Sequence, residues 1–539
     1  MQADAVAITA LRPRLENLTE LLADVEFRLP TAGREHAERV RTAVIQTISE
    51  YLIPRLDDPE APVVAAVIGS SGAGKSTIVN SLANDRISDV GPLRPTTRNA
   101  VLWAHRDHGS RYWSEFVSRV RDRVGTTVEV VIGDDELTSD LTIIDTPPSE
   151  YVAPSGRRPS VDVLALADLC VFVTSPSRYA DISAWEFLRE IRWRGVPMLF
   201  VLNRLPSDRD EAASLLNDFA GRLNDNGLLL EADAAMVFGV TEAVGDRWHG
   251  GLDPSAVGAL RNELGAVSNT GYRNTLVAMT AYTTGRNVVD RCRAITDEFD
   301  RVAEISGELD AAVSDAYENQ VAEITRMVAD GALRDMARHK SWSEAAVDLT
   351  AIVTRRAGVA AQETANTWMG HDTGVALLKG KGTTLWRHTE DTSWDVQGRL
   401  EDWEEVLAGV AARNTKSGSL RARTAKRLAD KAWKVVVDPQ QKPPRAVRRK
   451  LKRNMAAFIE DAQSGLARVI GEALEFDASR FRSHLDDHSE TGARLQRELR
   501  AISALLEGEE LPQLEMVPET DDPAAMTDAP VVGGDAADA

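Results

Sequence analysis

Leu11, Leu15, Leu18, Leu22, Val25 and Leu29 recur at steps of four and three, which draws one apolar stripe along a helix. Pro13 fits this helix as a residue of its first turn, where a missing N–H costs little. Pro30 and Gly33 break the stripe, and Val40, Val44, Ile48 and Leu52 draw a second one that ends at Pro54. Residues 1–60 therefore read as two helices whose apolar faces need helical partners elsewhere in the chain.

From 61 to 270 the pattern changes to short apolar runs at 63–68, 99–104, 128–132, 141–145, 169–174, 196–202 and 236–240. Amphipathic stretches such as Asp181 to Arg194 and Asp208 to Leu223 lie between them. That alternation predicts an α/β domain built on a mostly parallel sheet with helices on both faces. From 271 to 507 strand signals fade into a long all-α helical bundle. Val288, Cys292, Ile295, Phe299, Val302, Leu309 and Val313 mark one helix, weakened locally by Gly307. Further helices are expected at 317–338, 342–368, 395–412, 420–436, 446–475 and 489–507, with Gly374 to Gly382 as a loop or bundle tip. Residues 508–539 hold many acids and prolines and no Lys or Arg, a composition that cannot bury a core and predicts a disordered acidic tail.

Composition narrows the function classes. A chain of 539 residues is long for one core, so several domains are expected. The net charge of −20 argues against general nucleic-acid binding. Cys170 and Cys292 form no C-x-x-C pair, which removes a disulfide framework and a cysteine-built zinc site and suits a reduced, cytoplasmic setting. No leader pattern opens the chain, and no apolar run nears the ~18 residues that span a bilayer. A peripheral place at the inner face of the cell membrane stays compatible with this.

The stretch with the most specific chemistry is Gly69-Ser70-Ser71-Gly72-Ala73-Gly74-Lys75-Ser76, set between the apolar run 63–68 and a helix start at Thr77. Strand, G-x-x-x-x-G-K-S loop and helix in that order make a phosphate-binding loop. Small residues let successive N–H groups curl around phosphate oxygens at the helix N-terminus. Lys75 is placed to reach the β- and γ-phosphates, and the Ser76 hydroxyl to ligate Mg²⁺. Arg94-Pro95-Thr96-Thr97-Arg98, after the first helix, offers Thr97, with Thr96 second, as an Mg²⁺ ligand and γ-phosphate sensor. Asp145 ends an apolar strand and is placed to hold the Mg²⁺ shell. His105-Arg106-Asp107 copies a kinase tripeptide without the rest of the kinase pattern, and His105 with His108 lacks a third metal ligand.

With Leu52-Ile53-Pro54-Arg55-Leu56, Gly69 to Ser76, Leu93 to Arg98, Asp145-Thr146-Pro147, Arg178-Tyr179-Ala180-Asp181 and Val201-Leu202-Asn203-Arg204 in place, the chain resembles a bacterial dynamin-like GTPase, closest to the actinobacterial branch, within the P-loop GTPase superfamily. The resemblance implies GTP and Mg²⁺ as ligands and a neck of helices flanking the GTPase domain, with the C-terminal bundle as trunk. It assigns catalysis to Lys75, Thr97 and Ser71, and nucleotide binding to Gly69 through Thr77 with Asn203, Arg204 and Asp208. The chain departs from the pattern at several points. Pro148 replaces the glycine whose N–H meets the γ-phosphate, and Pro147 lacks an N–H too, so the nearest donor is at Ser149. Pro206 replaces the guanine-binding acid, with Asp208 two residues on as the substitute. Ser71 stands where dynamins carry glutamine, and Gly72 where they carry serine. These departures leave open a nucleotide-binding scaffold with negligible hydrolysis.

Between Arg413 and Arg453 lie fifteen Lys or Arg residues against Asp430 and Asp438. The segment 413–453 is expected to contact an anionic leaflet, with Trp433 and Val435 to Val437 inserting shallowly, or else a partner or the acidic tail. The resemblance implies assembly with a second copy or a related dynamin-like partner.

Overall fold

The computed structural model describes residues 2–507 apart from 91–98, 109, 125–126, 153–157, 182–184, 186–187, 190–195, 229–235, 243–249, 269, 381–384, 386–389, 416–420, 452–453 and 486–487. The chain forms two compact units: Met1–Asp24, Val40–Arg293 and the chain from Leu495 make one, Val25–Arg39 and Ala294–Arg494 the other.

The first unit contains α1 (Gln2–Ala23), most of α2 (Arg34–Thr47), a π-helical turn (Ile48–Leu52) and α3 (Ile53–Asp57) ahead of the sheet. Pro13 lies in the interior of α1 rather than in its first turn, so the helix runs through a missing N–H donor on its exposed side. Seven strands follow: β1 (Val63–Ile68), β2 (Ala100–His105), β3 (Val128–Gly133), β4 (Leu141–Asp145), β5 (Leu169–Thr174), β6 (Met198–Leu205) and β7 (Val237–Thr241). Their order is β3-β2-β4-β1-β5-β6-β7, parallel throughout except where β2 meets β4. Each expected strand is present. The sixth starts later and continues through Asn203 and Arg204, which the sequence had placed in a loop.

Burial on both faces explains why the central strands read as unbroken apolar runs. Val63, Ala65 and Val67 of β1 enter one core, and Val64, Ala66 and Ile68 enter the core on the opposite face. The chain leaves β1 for one side of the sheet and returns to its other side at β5, so the C-terminal end of β1 is a topological switch point. Helix α4 (Lys75–Ala83) begins there. Beneath the opposite end of β1, Asp168 accepts hydrogen bonds from Tyr51 Oη (2.9 Å), Arg55 Nε (3.1 Å) and Val64 N (2.9 Å), and also pairs with Arg55 Nη2. Burial and this carboxylate hold the Tyr51 phenol well above its ordinary pKa. One buried acid thus seats the π turn and α3 on the start of β1.

The second unit is helical and built around tryptophans. Its elements include α5 (Trp342–Trp368), α6 (Asp372–Lys379), α7 (Glu390–Arg413), α8 (Ala422–Val437), α9 (Arg445–Leu451) and α10 (Met455–Arg482). Trp342 lies tilted against Trp403 at 4.3 Å and edge-on to Trp433 at 5.7 Å between ring centroids. The indole N–H of Trp342 donates to the Leu400 carbonyl (2.8 Å) and that of Trp368 to the Leu309 carbonyl (3.0 Å). This pairs the polar handles of Trp342 and Trp368 while their apolar bodies fill the core.

Four expectations change here. The helix read from Val288 to Val313 and the one expected at 317–338 are one 60-residue helix, Thr270–Ala329. Gly307 touches nothing a side chain would meet and does not break it, whereas left-handed Gly331 (φ +67°) ends it. The loop expected at Gly374 to Gly382 is largely helix α6; Gly374 is required because a Cβ there would strike the Trp368 carbonyl. The helix expected at 446–475 is two, α9 and α10, divided near Asn454, whose side chain donates to the Asn414 carbonyl (3.0 Å). Finally, Trp433 and Val435 to Val437 are at most 1% exposed and belong to the core, so they cannot insert into a leaflet. Among the described residues no helix is long and apolar enough to cross a membrane.

Removing the shared acid tests the Asp168 seat. Asp168→Ala leaves the Arg55 guanidinium buried without its carboxylate, and urea unfolding is expected to show a loss of ~3–5 kcal/mol.

Candidate functional site

The site is assembled from three chain ends that the sheet brings side by side: the loop after β1, the end of β4 and the end of β6. Parallel pairing sets Val67 opposite Asp145 and so places the acid level with the start of the loop. Gly69 (φ +155°) and Gly74 (φ +99°) let the loop close on its neighbours. A Cβ at Gly69 would run into the Val173 carbonyl, and one at Gly74 into the Asn203 side-chain amide. Ser70, Ser71, Gly72 and Ala73 make the turn, and Lys75, Ser76 and Thr77 open α4.

Lys75 is 6% exposed. Its Nζ donates back to the loop, to the carbonyls of Gly69 (2.9 Å) and Ser70 (3.2 Å). Burial lowers its pKa, against the raising effect of Asp145 and Glu150. Asp145 is fully buried, and burial raises its pKa against the lowering effects of Lys75, Ser76 and Ser88. Its Oδ2 accepts from the Ser76 hydroxyl at 2.6 Å. Its Oδ1 is buried with no hydrogen-bond partner among the described residues. A hydroxyl beside a carboxylate with one oxygen unspent is an oxygen-donor set that fits Mg²⁺, with Ser76 and Asp145 as the holding residues.

Asn203 joins the β6 end to the loop. Its Nδ2 donates to the Ala73 carbonyl (2.9 Å), and its Oδ1 accepts from the Arg204 N–H (2.9 Å). Arg204 is left-handed (φ +63°), the extra residue of a bulge where β6 shifts register against β7. Asp208 caps the helix Arg209–Asp225, its Oδ1 accepting from the Glu211 N–H (2.9 Å). Gly69 through Thr77, Asp145 and Asn203 therefore converge. Thr96 and Thr97 lie outside the described residues.

Sequence reasoning missed the strap that follows β4. Thr146 Oγ1 donates to the Val67 carbonyl (2.8 Å), Ser149 N to the Gly69 carbonyl (3.1 Å), and the Ser71 N–H to Glu150 Oε1 (2.7 Å). Ser149, singled out as the nearest amide to replace the lost glycine N–H, thus spends that amide on Gly69. The spacing of Glu150 from Asp145 carries no motif, so nothing in the sequence pointed to it. Asn80, one helical turn after Ser76, was missed for the same reason.

Comparison with known proteins agrees with this geometry. Residues 64–204 match the family model described as 50S ribosome-binding GTPase. A probable transmembrane FZO-like GTPase of the chloroplast of Arabidopsis thaliana is 26% identical over 202 residues, 36% of this chain and 21% of that protein. The tRNA modification GTPase MnmE of Bacteroides fragilis is 29% identical over 102 residues, 17% of this chain and 22% of that protein. The matched stretches thus span about a fifth of the curated relatives. A chain of an oligomerised bacterial dynamin pair aligns over 93% of this chain and 82% of its own at 11% identity, with a TM-score of 0.29, below the level of a shared overall arrangement.

The Asp145 environment makes a testable statement. A carboxyl raised in the folded state binds more protons there than in the unfolded chain, so stability falls as pH rises through that window, and the penalty is complete above it. Asp145→Asn removes the buried charge; nucleotide-free protein is expected to melt higher than wild type at neutral pH, with the gap closing as pH falls into the carboxylate range. Scanning fluorimetry across that range checks it, and a pH-independent difference contradicts it. The phosphate loop, the acid at the end of β4 and the asparagine at the end of β6, on this sheet, make residues 64–204 a P-loop GTPase domain.

Proposed function

We propose that the chain is a dynamin-like GTPase that binds GTP with Mg²⁺, hydrolyses it slowly, and uses nucleotide state to control assembly with a second copy or a related dynamin-like partner at an anionic cytoplasmic membrane face. The phosphate loop, with Lys75 and Asp145 buried and half-buried Ser76 bonded to Asp145, carries the nucleotide part of this reading. In it Lys75 gives up two loop carbonyls to meet phosphate oxygens, and Ser76 and Asp145 hold the cation, which when bound neutralises charge on the phosphates. Thr97, or Thr96, supplies the sensor of the γ-phosphate. Arg204 lies against the base face, Asn203 braces the base loop on Ala73, and Asp208 offers the guanine edge the oxygen not used in its cap.

Slow turnover has a physical basis. Pro147 and Pro148 have no N–H, and the next amide, at Ser149, already donates to Gly69. Loss of one such donor costs about 10²-fold in rate. Ser71 is too short to position water as a glutamine does. The engaged Ser149 amide also favours the second reading, a scaffold that binds nucleotide and acts through protein contacts alone.

Contact with a membrane rests on charge. Arg423, Lys426, Arg427 and Lys431 on α8 and Arg448, Arg449 and Lys450 on α9 are exposed and form no ion pair among the described residues. With Trp433 in the core, the contact proposed is electrostatic, ~1 kcal/mol for each basic group near an anionic surface.

Two measurements test the proposal. Purified protein is expected to hydrolyse GTP slowly and ATP not at all, with Lys75→Ala at least about 100-fold slower; absence of GTP turnover even in concentrated protein with lipid establishes the scaffold instead. In sedimentation with phosphatidylserine vesicles, Arg448→Gln, Arg449→Gln and Lys450→Gln together are expected to weaken binding about 100-fold. Unchanged sedimentation removes this surface as the anchor.

A further inference from the structure

The chain leaving α4 turns back so that Ser88 returns to the side of that helix. Asn80 holds it there with its whole side-chain amide. Asn80 Oδ1 accepts from the N–H groups of Ile87 (2.9 Å) and Ser88 (2.8 Å), and Nδ2 donates to the Ser88 carbonyl (2.9 Å). Asn80 is 1% exposed and Ser88 2%. The clamp satisfies the Ser88 backbone but not its side chain: the Ser88 hydroxyl is buried with no hydrogen-bond partner among the described residues. A buried hydroxyl left in that condition loses its hydration without a replacement bond, so its placement calls for a compensating ligand.

The neighbouring group is Asp145. Ser76, whose hydroxyl donates to that carboxylate, stands one helical turn before Asn80, so the clamp holds Ser88 beside the same end of α4, and the Ser88 hydroxyl makes no hydrogen bond to the acid. Asp145 Oδ1 is the other orphaned oxygen of the cluster, while Oδ2 is taken by Ser76 Oγ at 2.6 Å. A buried donor and a buried acceptor that are near one another, both unspent and not bonded together, suit an oxygen ligand shared between them. A water of a hydrated divalent cation is such a ligand.

We propose that Ser88 is a further positioning residue of the divalent-cation site, its hydroxyl and Asp145 Oδ1 together holding a water of the shell whose direct protein ligand is Ser76. The inference rests on the nucleotide and Mg²⁺ reading above. It makes Asn80 a support of that site, since the turn of helix that carries Ser76 also carries the clamp for Ser88. Partners that orient a metal shell in this way typically alter metal affinity 10–100-fold when removed.

The test follows retention of mant-GDP by the full chain while free Mg²⁺ is lowered with EDTA. Ser88→Ala is expected to need about 10-fold more Mg²⁺ for half-retention. Its mant-GDP affinity without Mg²⁺ and its nucleotide-free melting temperature should not fall, because the removed hydroxyl had no hydrogen-bond partner among the described residues. Ser88→Thr, which keeps the hydroxyl, is expected to stay nearer wild type than Ser88→Ala. A Mg²⁺ midpoint for Ser88→Ala equal to wild type overturns the inference and leaves the nucleotide reading standing. So does an equal loss of mant-GDP affinity with and without Mg²⁺, which marks general damage to the loop. If wild-type retention does not depend on Mg²⁺ at all, the inference and the cation reading both fall.

Discussion

Two opposite charges buried in one small site govern this end of the molecule. Lys75 and Asp145 each carry a desolvation penalty that moves their pKa values toward neutrality, and each offsets part of the other's. Neither is completed by the protein alone: the lysine leans on loop carbonyls, and one carboxylate oxygen has no partner among the described residues. A phosphate chain and a divalent cation have the charges and the oxygens that such a site lacks. The rest of the sheet end serves to keep these groups in place, through the β1–β4 register, the two constrained glycines and the Asn203 brace.

The strap after β4 gives the site its particular character. Thr146, Ser149 and Glu150 attach to Val67, Gly69 and Ser71 in succession, so this segment runs alongside the phosphate loop. Glu150 brings a carboxylate to a loop whose business is to attract anions, and the pull of that acid is felt at Lys75. Two prolines stiffen the segment and remove two donors at once. The strap thus commits the Ser149 amide to Gly69 and leaves Lys75 as the cation of the loop.

The helical unit separates its tasks by depth. Four tryptophans, Trp342, Trp368, Trp403 and Trp433, are interior, and the basic groups of α8 and α9 other than half-buried Lys434 stay in water. The same helix α8 contributes Trp433 and Val436 to the core and Lys426, Arg427 and Lys431 to the surface. An amphipathic helix of this kind stabilises its unit through one face and leaves the other free to present charge.

Local pattern determined a great deal by itself. Short apolar runs located all seven strands, because a two-sided parallel sheet buries every residue of its central strands. Glycine spacing located the phosphate loop, since only glycine tolerates the approaches of Val173 and Asn203. Helix existence was legible, but continuity was not: nothing in the window around Gly307 says whether space beside it is open, and nothing around Gly374 says that Trp368 lies against it. Which side of α8 faces inward was hidden for the same reason, because charge density cannot reveal what the adjacent apolar residues pack against. Glu150, Asn80 and Ser88 carry no motif. The hold of Glu150 on Ser71 and of Asn80 on Ser88 comes from the fold closing separate stretches onto one another, and only the tertiary structure decided it.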